Sequence, residues 1–255
     1  MKLVDTHAHI YINDFRDDIN DVVIRAKQKG ISAILMPAID ASTHPAMLQT
    51  EEAFPELCIS MMGLHPCSVK DDYQTELSVV QGHLSKRKFV AIGEIGLDFY
   101  WDISFKIQQY DAFQRQIEWA LHYDLPIVIH SRNSTDECLK VVQNNQDGRL
   151  KGVFHCFSGT TDQALKIMEA GFYLGIGGVL TYKNSGLDKV MEQIDLNSVL
   201  LETDAPYLAP VPFRGKRNES SYITNITEKL AEIKRTSVEE IANITTRNAE
   251  KLFGV

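Results

Sequence analysis

The chain has 255 residues, 44% of them apolar and 24% charged, with 26 Lys and Arg against 34 Asp and Glu and a formal net charge of -8. Length and apolar share support a sizeable core and exclude an intrinsically disordered chain. The acidic balance excludes polyanion binding through the overall field, so contact with nucleic acid requires a local basic patch or bound metal.

The first apolar run of strand length, residues 3–9, holds His7 and His9, two apart and therefore on one face. It follows Met1 so closely that a cleavable signal has no room, and a cytoplasmic location is the expectation. A helical stretch, 17–29, closes on Gly30. Runs 31–38 and 57–64 follow, the latter leading into His65-Pro66. Run 89–95 contains Glu94, and the helical stretch 105–123 comes next. Run 126–130 ends in His130, with Arg132 two residues on; run 152–157 contains His155. Helical stretch 162–169 is punctuated by Gly171, then come runs 172–179 and 199–204, the last closing on Asp204. Residues 237–252 read as a final helix that closes the barrel or packs outside it.

Eight strands alternating with helices imply right-handed βαβ units and a closed TIM (β/α)8 barrel, with a doubly wound open sheet as the structural alternative. Residues 1–255 read as one domain with no linker or internal repeat. No apolar stretch is long enough to span a bilayer, and a compact acidic barrel is expected to be a monomer. Cys58, Cys67, Cys138 and Cys156 form no Cys-x-x-Cys pair and read as reduced, incidental thiols. Cys156, adjacent to His155, is expected on the opposite face of its strand.

His7, His9, Glu94, His130, His155 and Asp204 all fall at or near strand ends, which a closed barrel brings to one rim. Six His and carboxylate side chains are too many for one tetrahedral zinc and suit two divalent ions, of which Mg, Mn and Zn are the candidates. Glu94 is the expected bridge and Asp204 the expected general base, ionised because cations depress it. His65 reads as a contact to substrate or leaving group, with a structural histidine as the alternative. The loop 205–222 carries Arg214, Lys216 and Arg217, expected to overhang the metals and, with Arg132, to hold phosphate oxygens. Phe99, Tyr100, Trp101, Tyr207 and Phe213 are aromatic candidates for base stacking or for packing the barrel top.

The segments Asp5-Thr6-His7-Ala8-His9, Gly93-Glu94-Ile95-Gly96-Leu97-Asp98, His130-Ser131-Arg132, His155-Cys156-Phe157-Ser158-Gly159, Glu202-Thr203-Asp204-Ala205-Pro206 and Arg214-Gly215-Lys216-Arg217-Asn218-Glu219 resemble the TatD family of metal-dependent DNases. The resemblance runs in order through essentially the whole chain. It implies a barrel of the amidohydrolase superfamily, a divalent-metal site at the six residues, and 3′-to-5′ exonuclease action on DNA ends, in some members on RNA. Where the family usually has proline after Asn-Glu, this chain has Ser220. A second reading keeps the metals but cleaves esters or amides, as in deacylation of mischarged tRNA. A third is a scaffold protein that keeps metal only for stability, against which an open His/carboxylate rim argues.

Overall fold

Strands and helices alternate along the chain because apolar runs of strand length are each followed by an amphipathic stretch. The structure, a computed structural model, describes residues 1–255. Its strands are β1 (Leu3–Asp5), β2 (Ile31–Met36), β3 (Cys58–Ser60), β4 (Ile92–Asp98), β5 (Ile127–Arg132), β6 (Gly152–Phe154), β7 (Tyr173–Ile176) and β8 (Val199–Leu201). Its helices are α1 (Ile19–Gln28), α2 (His44–Ala53), α3 (Tyr73–Leu84), α4 (Lys106–Tyr123), α5 (Thr135–Asn145), α6 (Thr161–Glu169), α7 (Leu187–Gln193), α8 (Ile223–Lys234) and α9 (Val238–Phe253).

Every strand pair is parallel. One ladder runs β1 to β3 and a second β4 to β8. Parallel bridges between Met62 and Ile92 and between Ala8 and Ala205 join the two ladders into a ring. The fold is therefore a TIM (β/α)8 barrel and not an open sheet. Asp5 reinforces the seam: the Thr203 backbone N–H and hydroxyl donate to its two carboxyl oxygens at 2.9 and 2.7 Å.

Alternation along the strands divides the core into two layers. Ile34, Ile92, Ile129, Leu174 and Leu201 belong to the large cluster shared with the helices. Val4, Leu35, Met61, Ala91, Val128, Val153 and Leu200 form a separate cluster, the barrel lumen. Ala249, Leu252 and Phe253 of α9 join that second cluster, so α9 plugs the N-terminal end of the barrel. Ser237 starts this helix by accepting the Glu240 N–H at 3.1 Å. With one end filled by apolar side chains, the polar strand termini collect at the other.

Most observed strands are shorter than the apolar runs that announce them. His7, His9, His155 and Asp204 lie one to four residues beyond β1, β6 and β8, where the chain leaves the ladder and presents side chains to the rim. Strand β4 extends further than its run, to Asp98. Gly96 within it stands at φ +136, and a Cβ there would lie 2.1 Å from the His130 carbonyl oxygen. Only glycine lets β4 and β5 come this close.

Candidate metal centre

Glu94, on β4, is 2% exposed and stands at the centre of the rim. Its Oε2 lies 3.1 Å from His7 Nε2 and 3.4 Å from His9 Nε2. Its Oε1 lies 2.8 Å from His130 Nδ1, 2.9 Å from His155 Nε2 and 3.2 Å from His65 Nε2. Asp204 Oδ1 closes the first side, 3.7 Å from His7 Nε2 and 3.8 Å from His9 Nε2. One carboxylate thus divides the imidazoles into two sets, and all six residues expected to gather at the rim do so.

The polar partners on the far side of each ring fix where its proton sits. The Tyr11 hydroxyl donates to the Pro37 carbonyl at 2.6 Å, so its oxygen accepts from His9 Nδ1–H at 3.2 Å. Asp98 Oδ2 accepts from His130 Nε2–H at 2.8 Å. His155 Nδ1 makes no hydrogen bond, but the Glu202 carboxylate 3.4 Å away favours a proton on that nitrogen. In the neutral tautomers the remaining nitrogens of these three rings aim lone pairs at the Glu94 oxygens. Lone pairs facing carboxylate oxygens at such distances repel unless positive charge lies among them. His and carboxylate donors in this arrangement fit divalent cations of the Mn or Zn type.

His65 is wired the other way. Its Nδ1 accepts the Cys67 backbone N–H at 3.0 Å, so Nε2 keeps its proton and donates towards Glu94 Oε1. Although it converges with Glu94 and His130 closely enough to share an ion, it presents a donor where the other rings present acceptors.

Electrostatics follow the same division. Burial would raise Glu94, but His155, His65 and His7 around it hold it well below the usual carboxylate range. Burial would also raise Asp98, and the His130 ring with the Trp101 and Tyr100 backbone N–H groups outweighs it and pulls the carboxyl down. Burial lifts Asp204 to about 6 against the opposing pull of His155 and His9, so in the protein alone it ionises near neutrality.

His9, Glu94, His130, His155 and Asp204 line a cavity of about 780 Å³, a size suited to a small ligand or one end of a larger one. His65, Arg132, Trp101 and Tyr207 also line it. The cationic loop does not. Arg217 turns away from the mouth and pairs with Asp18 of the segment before α1 at 2.6 and 2.7 Å, and it donates to the Asp14 carbonyl at 2.6 Å. Arg214 stacks over Tyr182 at 4.4 Å, and Lys216 is exposed outside the cavity lining. The expected overhang fails because Arg25, bonded to Glu219 at 2.6 and 2.8 Å, anchors this part of the loop to α1. Phe213 likewise stacks on Tyr222, 3.9 Å between centroids, and does not face the cavity. Cys156 is a second correction. It lines the cavity, because the chain has already left β6 and turns at φ +49, where strand alternation no longer applies.

Sequence reasoning passed over the residues behind the rim: Asp98, Glu202, Tyr11 and Asp5. Three are acids in apolar strand contexts, two or four positions from an expected ligand, and that spacing was the available signal. Gly175 shows how closely Glu202 is fitted, since a Cβ there would meet its Oε2 at 2.3 Å.

Comparison with known proteins agrees with this geometry. A family model described as TatD related DNase matches residues 4–254. The chain belongs to the TatD family. It is 37% identical over 254 residues to an uncharacterized metal-dependent hydrolase, YabD, of Bacillus subtilis, with 99% of each chain covered. The solved structure of the TatD homologue YjjV of Escherichia coli superposes with a TM-score of 0.93 at 33% identity, covering 99% of this chain and 98% of that one. A TatD family hydrolase structure from Entamoeba histolytica matches at TM-score 0.87 and 24% identity, over 99% and 98% of the two chains, which shows the shared fold. This TatD protein is thus a metal-dependent hydrolase. None of its helices is long and apolar enough to cross a membrane.

Proposed function

We propose that residues 1–255 act as one domain that hydrolyses phosphodiesters, a 3′-to-5′ exodeoxyribonuclease working on single-stranded or frayed ends. The observation that carries the reading is Glu94, whose two oxygens each face a separate set of ring nitrogens. His7, His9 and Asp204 would hold one divalent ion, His130 and His155 the other, with Glu94 shared between them. Two such ions supply Lewis-acid polarisation of a phosphoryl group and make water acidic enough to attack at neutral pH.

The protein's own groups do the rest. Asp204, which the cations beside it would keep ionised, takes the proton of the attacking water. The water oxygen adds to phosphorus, the bond to the 3′ oxygen of the preceding nucleotide breaks, and that oxygen leaves as a hydroxyl by taking the proton that Asp204 received. His65 Nε2–H donates to a non-bridging phosphate oxygen, a role that its Cys67-fixed tautomer allows. Arg132, exposed at the cavity wall, reaches a second phosphate oxygen with its fork.

The test is Asp204→Asn on metal-loaded protein, assayed with oligonucleotides labelled at either end. Loss of about 10²- to 10⁴-fold in turnover, with metal still bound, is expected for removal of a general base. Undiminished nuclease rates in the variant would refute the role of Asp204. Failure of the parent protein to cleave any oligonucleotide while it hydrolyses aminoacyl esters or lactones would refute the substrate class.

A further inference from the structure

The lip of the cavity carries an aromatic surface that the hydrolytic chemistry does not use. Trp101 is 68% exposed and Tyr100 52%, a large share for side chains whose burial stabilises folds. They meet edge to face, 4.8 Å between centroids. The Asp98 carboxylate holds the turn beneath them by accepting the Tyr100 and Trp101 backbone N–H groups at 2.9 and 3.0 Å. Arg132 lies 3.9 Å above the Tyr100 ring and 5.1 Å from that of Trp101. Across the mouth stand Tyr207 and Leu208, 52% and 39% exposed.

We propose that Trp101, backed by Tyr100 and Arg132, is a shelf on which an unstacked nucleobase lies while its phosphate enters the cavity that Glu94 and His65 line. The inference rests on the phosphodiesterase reading above and deepens it, because it selects ends whose bases are free of a partner strand. Three features favour a base over a protein or lipid surface. The aromatic group is interleaved with cations, Arg132 on Tyr100 and Lys106 lying 4.1 Å over Phe99, in a protein whose overall charge is negative. Arginine beside an indole face is the pairing that single-stranded nucleic-acid grooves use, and it serves every base because each has a π face. Trp101 and Arg132 also line the same cavity as Glu94 and Asp204, so a bound base and the reacting phosphate occupy continuous space.

The carboxylate that accepts the Trp101 N–H also accepts the His130 ring proton. Asp98 therefore ties the height of the shelf to the orientation of a candidate ligand. A base resting on Trp101 is held in register with the metal centre through one side chain.

The chain has two tryptophans, and Trp119 lies on α4, partly buried against the core. Trp119→Phe leaves Trp101 as a fluorescent reporter in otherwise intact, metal-loaded protein. The probes are a thymidine pentamer with hydrolysis-resistant phosphorothioate linkages and an abasic pentamer with the same backbone. The thymidine pentamer should quench Trp101 emission and bind about 5- to 150-fold more tightly than the abasic one, the range expected for one stacked base. Trp101→Ala should lose that preference, and Trp101→Phe should retain most of it. Equal affinity of the two probes, or thymidine binding that neither quenches Trp101 nor weakens in Trp101→Ala, would overturn the shelf and leave the phosphodiesterase reading standing. Binding of neither probe would overturn both.

Discussion

Asp98→Asn isolates the logic of the metal centre from its ligands. Asp98 Oδ2 accepts from His130 Nε2–H at 2.8 Å, so in the neutral ring Nδ1, 2.8 Å from Glu94 Oε1, keeps the lone pair that a cation would take. Asparagine can still accept the Tyr100 and Trp101 N–H groups through its carbonyl oxygen. Its amide nitrogen then faces His130 and can only donate, so Nε2 must accept and the ring proton moves to Nδ1. A protonated Nδ1 cannot bind a cation. Loss of an orienting partner of this kind costs about 10- to 100-fold in metal affinity, about 1.4–2.7 kcal/mol. Calorimetric titration of Mn or Zn into stripped protein reads the change directly, and it should fall on one of two binding steps. Unchanged affinity at both steps, in a variant whose circular dichroism matches the parent, would refute the tautomer argument.

Two further outcomes follow from groups away from the centre. His44, 1% exposed, has neither ring nitrogen hydrogen-bonded and packs edge to face on His83 at 5.3 Å. Burial, with His83 adding to it, lowers His44 from 6.5 to about 4. The unfolded chain therefore binds the extra proton between about pH 6.5 and 4, and stability falls as pH drops through that window, by about 3 kcal/mol at its foot. His44→Leu should flatten the dependence of the urea midpoint between pH 7 and 4.5, and an identical slope in the variant would contradict the burial argument. Arg217→Ala should lower the melting temperature by about 2–4 °C, the effect of roughly 1 kcal/mol in a protein of this size, and leave the substrate KM within about twofold. A tenfold rise in KM at unchanged melting temperature would restore Arg217 to the substrate site.

The barrel was legible because its signals are local and periodic: eight short apolar runs, each separated by amphipathic or loop sequence, admit few closed topologies. The rim was legible because His7, His9, Glu94, His130, His155 and Asp204 sit where strands end, and closure alone brings them together. What lies behind the rim was not. Whether Asp98, Glu202 or Tyr11 touches a ligand depends on contacts across 2 to 47 positions in sequence, which no pattern along the chain encodes. The 214–217 loop misled for a related reason. Its charge and its place after β8 suggest phosphate, whereas its actual direction is set by the Arg25–Glu219 and Arg217–Asp18 pairs, made with a segment almost 200 positions away. Cys156 shows the limit of strand alternation, which ends with the ladder and not with the apolar run.

The account stands on one carboxylate shared by two cations, and crystals soaked in manganese or zinc test it most directly by anomalous scattering. Two peaks about 3.5–4 Å apart are expected on either side of Glu94, one beside His7, His9 and Asp204 and the other beside His130 and His155. A single peak that leaves one set of imidazoles without an ion, or density confined to surface carboxylates, would contradict it.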